Sequence, residues 1–310
     1  MHKLPLATAS RTIKWFPALM MSVMLIAGMI TVPAGTTLAR ITCDPNVAPA
    51  ASTEASPAAA NPYTGAVFPE EGGSLTVFAA ASLVDAFSTL EEQLETANPG
   101  LEIVIETAGS QTLVTQLDEG AKADVLATAN NSTMQRAVEG GLIDGEPVTF
   151  TGNRLVIVTP PANEAGITSL LDLANKGVRL VVAGADVPVG SYTRTAICQF
   201  SGLADAPAGL IDNIDANIVS EELDVRSVLA KVQIGEADAG IVYASDAAAS
   251  QIAGTDMNVI EFPASIDTTA RYPIAPVAGG DTDLAAAFIA YVQGPEGQKV
   301  LTEYGFSLPH

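Results

Sequence analysis

The residues of this 310-residue chain that can do chemistry are neutral hydrogen-bond donors placed at the ends of predicted strands. Ser82 follows the apolar run LTVFAAA (75–81) and leads into an amphipathic segment carrying Leu83, Phe87 and Leu90. It stands where a helix N-cap belongs, and Asp85, three residues on, completes a capping-box pattern. Ser110 follows strand 101–107 through Gly109, a residue that lets backbone approach a ligand closely. The turn VPVGSY (187–192) links strand 179–184 to a helix, and Asp224 caps another helix ahead of Val225, whose early N–H lacks an intrahelical partner. Tyr243 ends strand 239–243 with a phenolic donor. Each helix start adds roughly half a unit of positive partial charge. Hydroxyls and free N–H groups converging at the carboxyl edge of an α/β sheet would bind an oxyanion without any cation.

Other chemistries are poorly provided for. The two histidines, His2 and His310, lie at the chain ends, so a Ser-His-Asp or Cys-His group is excluded from the body. Cys43 and Cys198 cannot furnish a four-ligand zinc site. No phosphate loop of the Walker type and no GxGxxG after a strand is present. An acyltransferase built on Ser82 would lack a base. Arg194 and Arg226 read as helix-surface or bracing groups, and Asp124 and Asp246 as caps or inter-loop braces rather than metal ligands.

The elements that must position these donors alternate from residue 73 onward, which predicts a parallel α/β sheet. Strands are expected at 101–108, 123–129, 154–161, 179–184, 239–244, 258–262 and 272–279. Helices are expected at 109–120, 131–140, 169–175, 191–201, near 206–220, 225–235, from 246, and as one long helix over 281–304.

Residues 1–42 read as an export signal: Lys3, Arg11 and Lys14 precede an apolar run over Trp15–Val32, long enough that an uncleaved anchor competes. Ala39 offers a cleavage site, and Cys43 stands where a lipoprotein carries its lipidated cysteine, although Arg40 fits the usual lipoprotein pattern badly. Residues 43–72, rich in Pro, Ala, Ser and Thr, then read as a flexible tether. The alternative is a Cys43–Cys198 disulfide. The lipid anchor is preferred because Cys198 lies in an apolar helical run, AICQFSGL. Beyond residue 42 the chain holds 10 basic against 35 acidic residues, an excess of 25 negative charges that argues against nucleic acid and anionic membrane surfaces as partners.

The blocks VFAAASL (77–83), GSQTLVTQLDEGAKADVLATAN (109–130), VPVGSYTR (187–194), DVRSVLAKVQIGEADAGIVYASDA (224–247) and GPEGQKVLTEYGF (294–306) resemble the molybdate-binding receptors of bacterial ABC transporters. The resemblance covers residues 73–310. It implies a two-lobe α/β fold of the type II periplasmic binding protein kind, with lobe 1 over 73–152 plus 263–310 and lobe 2 over 153–262. It also implies a molybdate or tungstate site of two serine hydroxyls (Ser82, Ser110), two main-chain donors (Val189, Val225) and the Tyr243 hydroxyl. Many relatives carry alanine at the position of Val189, a change of small consequence for a main-chain contact. The implied role is delivery to a membrane permease by an exported monomer without cofactor or catalysis. A receptor for another tetrahedral oxyanion such as sulfate, and a two-lobe oxyanion sensor, are the alternatives.

Overall fold

A computed structural model describes residues 40–43 and 62–309; the predicted export segment before residue 40 and the tether over 44–61 lie outside the described residues. Strand β1 (Gly73–Ala80) leads through a 3₁₀ turn (Ala81–Leu83) into α1 (Val84–Ala97), followed by β2 (Leu101–Ala108), α2 (Ser110–Asp118), β3 (Val125–Ala127) and α3 (Asn131–Glu139). The long β4 (Val148–Thr159) carries the chain into a second set: β5 (Leu180–Ala183), α4 (Pro188–Ser201), α5 (Leu210–Asn217), β6 (Ile218–Glu222), α6 (Val225–Gln233), β7 (Ala239–Tyr243) and α7 (Ala244–Ile252). Strands β8 (Asn258–Glu261) and β9 (Thr269–Pro276) return it to α8 (Thr282–Gln293) and α9 (Pro295–Glu303).

The strand order β2-β1-β3-β9-β4-β7-β5-β6 contains one arrangement twice. β1 lies between parallel β2 and β3 with antiparallel β9 beyond. β5 lies between parallel β6 and β7 with antiparallel β4 beyond. The expected all-parallel sheet is therefore corrected to a mixed one. The two antiparallel strands are the connections: β4 pairs with β9 over Val148–Arg154, then with β7 and β8 over Leu155–Thr159. Strands covered on both faces must be apolar throughout, and Leu75, Val77, Leu180 and Ile241 are buried accordingly. Phe87, Phe150, Tyr272 and Phe306 form a chain of ring contacts across β4 and β9.

Several expectations shift. The segment expected to be helical over 206–220 ends as strand β6, because Ile218–Glu222 pairs with β5. The helix expected over 281–304 divides at Gly294: Pro295 has no N–H to continue α8 but suits the first position of α9. Residues 170–174 form a 3₁₀ turn held by the Ser169–Asp172 capping box.

The chain ends depart further. Cys43 is joined to Cys198 on α4, so the lipid anchor expected at Cys43 is corrected: a sulfur in a disulfide cannot carry the thioether of a lipid. Ile41 is buried beside it, and its N–H donates to the Asp215 carboxylate at 3.1 and 3.2 Å. The end of the expected tether is also part of the body, since Tyr63 and Phe68 pack against the core and Tyr63 donates to the Glu146 carbonyl at 2.9 Å. Among the described residues no helix is long and apolar enough to cross a membrane.

Candidate ligand-binding site

The turns at the carboxyl ends of β1, β2, β5, β6 and β7 meet around one small cavity. Its lining includes Ser82, Gly109, Ser110 and Ala129 from the first set of elements and Val189, Asp224, Val225 and Tyr243 from the second. All five residues expected at the site are thus brought together. No Lys, Arg or His is among the lining residues. The cavity is tight, about 10 Å³ in volume, the scale of a single water and far below the pockets that hold larger organic ligands.

Each donor has a local reason for its position. Ser82 is not the helix N-cap that its spacing suggests: it lies inside the 3₁₀ turn, and α1 begins two residues later with no side-chain cap. Its buried hydroxyl lies 2.9 Å from the Tyr272 hydroxyl. Ser110 is the first residue of α2, and its Oγ accepts from the Ala129 N–H at 3.1 Å. α4 starts at Pro188, earlier than expected, so Val189 falls in its first turn, where N–H groups have no intrahelical acceptor. Asp224 caps α6 as expected by accepting from the Ser227 N–H at 2.9 Å, which leaves Val225 as the first helical residue.

Tyr243 ends β7 and is 1 % exposed, and its hydroxyl has no hydrogen-bond partner among the described residues. Burial keeps the Tyr243 and Tyr272 phenols well above the ordinary tyrosine range, so both remain protonated donors. A buried polar group left unpaired is costly. The Tyr243 hydroxyl is therefore a donor available to an acceptor in the cavity.

Apart from Asp224, which lines the cavity, the charged residues singled out from the sequence lie behind this shell. Arg226 contacts Asp85 on α1 at 2.9 Å and Asp246 on α7 at 3.6 Å. Asp85, expected in a capping box with Ser82, instead serves this ion pair. Asp246 accepts from the Tyr243 N–H at 3.1 Å, a brace as expected. It is fully buried, and desolvation raises its pKa to about 7 against the opposing pull of Arg226. Arg194 donates to the carbonyls of Ala183 and Gly190 and pairs with Glu221, away from the cavity. Asp124 accepts from the N–H groups of Thr76 and Asp281 and is likewise a brace.

Gly109 has a role that its sequence position does not reveal. A Cβ there would come within 2.3 Å of the Leu223 carbonyl. Beside it, Gln111 donates to that same carbonyl at 2.8 Å, tying α2 to the turn before α6. Sequence reasoning missed Ala129, which stands at the turn from β3 to α3 but has no side-chain donor, and Tyr272, which lies within β9 rather than at a strand-to-helix turn.

Comparison with known proteins places these features in a family. Residues 75–307 match the family described as bacterial extracellular solute-binding protein. The chain is 38 % identical over 251 residues to the molybdate-binding protein ModA of Mycobacterium bovis, covering 80 % of this chain and 90 % of that protein. The fold resembles that of the periplasmic molybdate-binding protein of Azotobacter vinelandii, with a TM-score of 0.64, 20 % identity and coverage of 76 % of this chain and all of that one. It resembles equally the sulfate-binding protein SubI of Mycobacterium tuberculosis, with a TM-score of 0.67, 18 % identity and coverage of 75 % and 86 %.

Proposed function

The chain belongs to the family of bacterial extracellular solute-binding proteins, and within that family we propose that it is a receptor for molybdate, with tungstate as a second ligand. Members of this family are receptors and not enzymes, and this chain is one of them. The observation that carries the reading is a cavity lined by five neutral donors, with the Tyr243 hydroxyl unpartnered and no cation in the lining. Ser82, Ser110 and Tyr243 give hydroxyl donors, and Val189 and Val225 give main-chain donors at helix starts. Helix-start dipoles and hydroxyls stabilise a dianion where water has been excluded.

The fold alone does not choose among oxyanions, since molybdate- and sulfate-binding proteins share it. The choice of molybdate rests on the 38 % identity to a protein named for that ion. Lobe 1 comprises residues 73–152 and 263–310, and lobe 2 comprises 153–262. The change of β4 from β9 to β7 between Arg154 and Leu155 supports the first boundary. Ser82 and Ser110 then sit on lobe 1, and Val189, Val225 and Tyr243 on lobe 2. A ligand that needs all five stabilises the closed state, because only closure satisfies its oxygens. The closed receptor acts outside the cytoplasmic membrane as a monomer and delivers its ion to an ABC permease.

A thermal-shift series on the purified protein tests this. Molybdate and tungstate at one hundred times their dissociation constants add about 2.7 kcal/mol of stability, whereas sulfate and phosphate at the same concentrations add much less. Equal stabilisation by sulfate overturns the molybdate assignment.

A further inference from the structure

The first turn of α6 holds Val225 at the cavity, and the residues on either side of Val225 are bonded to the opposite half of the molecule. On one side Gln111, the second residue of α2, donates through Nε2 to the Leu223 carbonyl at 2.8 Å. A carbonyl only accepts, so this contact fixes which way the amide is turned. Gln111 is 6 % exposed, and its Oε1 has no hydrogen-bond partner among the described residues. The backbones approach closely here, because Gly109 has no Cβ to meet the same carbonyl. On the other side the Arg226 guanidinium contacts the carboxylate of Asp85, in the first turn of α1, at 2.9 Å. Asp246, from α7 on the same half as Arg226, stands at 3.6 Å. Val225 lines the cavity, whereas Asp85, Gln111 and Arg226 are not among its lining residues.

Separating the halves must break both contacts in addition to any made by a ligand. The two differ in strength. The side chains of Arg226 and Asp85 are 31 % and 37 % exposed, so water and salt screen their attraction. The Gln111 amide is buried, and parting it from Leu223 leaves a second of its polar atoms without a partner. The hydrogen bond is therefore the stronger fastener and the ion pair the weaker. With Leu223 held before it and Arg226 after it, the Val225 N–H keeps its direction for as long as the halves stay together.

We infer that Gln111 and Asp85 are positioning residues that fasten the first turn of α6 to the opposite half, hold the Val225 N–H on the ligand and so slow the ligand's release. This rests on the reading of the two halves as lobes that close over an oxyanion, though not on which oxyanion it is. Neither residue lines the cavity, and both contacts form only as the halves meet. They act after encounter, on dissociation and not on association.

The test loads the purified protein with labelled molybdate and chases it with an excess of unlabelled molybdate. Gln111→Met keeps the size of the side chain and removes its donor; release from it is faster by about tenfold, the scale of one hydrogen bond. Asp85→Asn keeps the shape and removes the charge, and its release is faster by about fivefold at most. Asp85→Glu retains the charge and restores slow release. Association rates stay at the wild-type value in all three. A merely structural loss lowers the fraction of protein that binds and leaves the release rate of the remainder alone, so an unchanged release rate in Gln111→Met or in Asp85→Asn overturns the inference. Gln111→Ala carries the test if Gln111→Met fails to fold. If the wild type does not bind molybdate, the assigned ligand is wrong, and the same chase with labelled sulfate or phosphate decides the fastening. If it binds none of the three, the receptor reading falls, and hydrogen exchange of the ligand-free protein decides. The amides of residues 223–227 then exchange faster in Gln111→Met than in the wild type, and equal exchange overturns the inference.

Discussion

At the scale of single residues, main-chain and side-chain donors respond differently to substitution. Ser82→Ala and Ser110→Ala each remove one hydrogen bond to a charged ligand, worth about 1.5–3 kcal/mol, and calorimetry should record a corresponding loss of molybdate affinity. Neither serine caps its helix through its side chain, so both variants keep their fold. Val225 offers a sharper comparison. It is the first residue of α6, a position that favours proline, and the preceding Asp224 has the extended backbone (φ −158, ψ 168) that proline requires of its neighbour. Val225→Pro should therefore keep the helix while deleting the N–H, with a fall in affinity of the size seen for the serines. Val225→Ala keeps the N–H and should bind nearly as the wild type does. Equal binding by the proline and alanine variants in calorimetry excludes the main-chain contact.

At the scale of elements, α1, α6 and α7 meet through Asp85, Arg226 and Asp246. The folded pKa of Asp246 is about 7, above its unfolded value, so the folded state holds a proton that the unfolded state has released. Its contribution is complete below the unfolded pKa and is lost as pH rises toward about 7. Chemical denaturation of the ligand-free protein should show this component of stability falling from about pH 4 to about pH 7 and levelling off above. Asp246→Asn should flatten that component, and an unchanged slope in the variant assigns it to another group. The Cys43–Cys198 link fastens the N-terminal segment to α4 across a sequence separation of 155 residues. Cys43→Ala should lower stability by about 2–4 kcal/mol at most, and intact-mass measurement of the secreted protein should show two bonded cysteines and no added lipid. A lipidated mass restores the anchor.

At the scale of the whole molecule, the chain beyond residue 42 carries an excess of 25 negative charges, whereas the proposed ligand is an anion. A dianion approaches such a body against a repulsive field, which salt screens over a Debye length of about 10 Å at 0.1 M. The lining holds no cation to reverse that effect. Stopped-flow association should therefore speed up modestly when inert chloride salt is added. A clear slowing shows that a basic residue steers the ligand, and Arg226, directly after Val225, is the first to replace.

The sequence by itself determined where the donors are. Ser82, Ser110, Val189, Val225 and Tyr243 belong to strand ends and helix starts, features written in local patterns of apolar runs, small residues and turns. The alternation of elements made the α/β class legible for the same reason. Tertiary structure alone decided what each local feature is connected to. Ser82 is bonded to Tyr272, 190 residues away, rather than to the start of its own helix. Cys43 reaches Cys198 instead of a lipid because the N-terminal segment packs beside α4. β4 and β9 run antiparallel because they cross between the halves, a constraint of topology that no local window contains. Asp246 acquires its raised pKa from complete burial, and burial is fixed by the packing of residues distant in sequence.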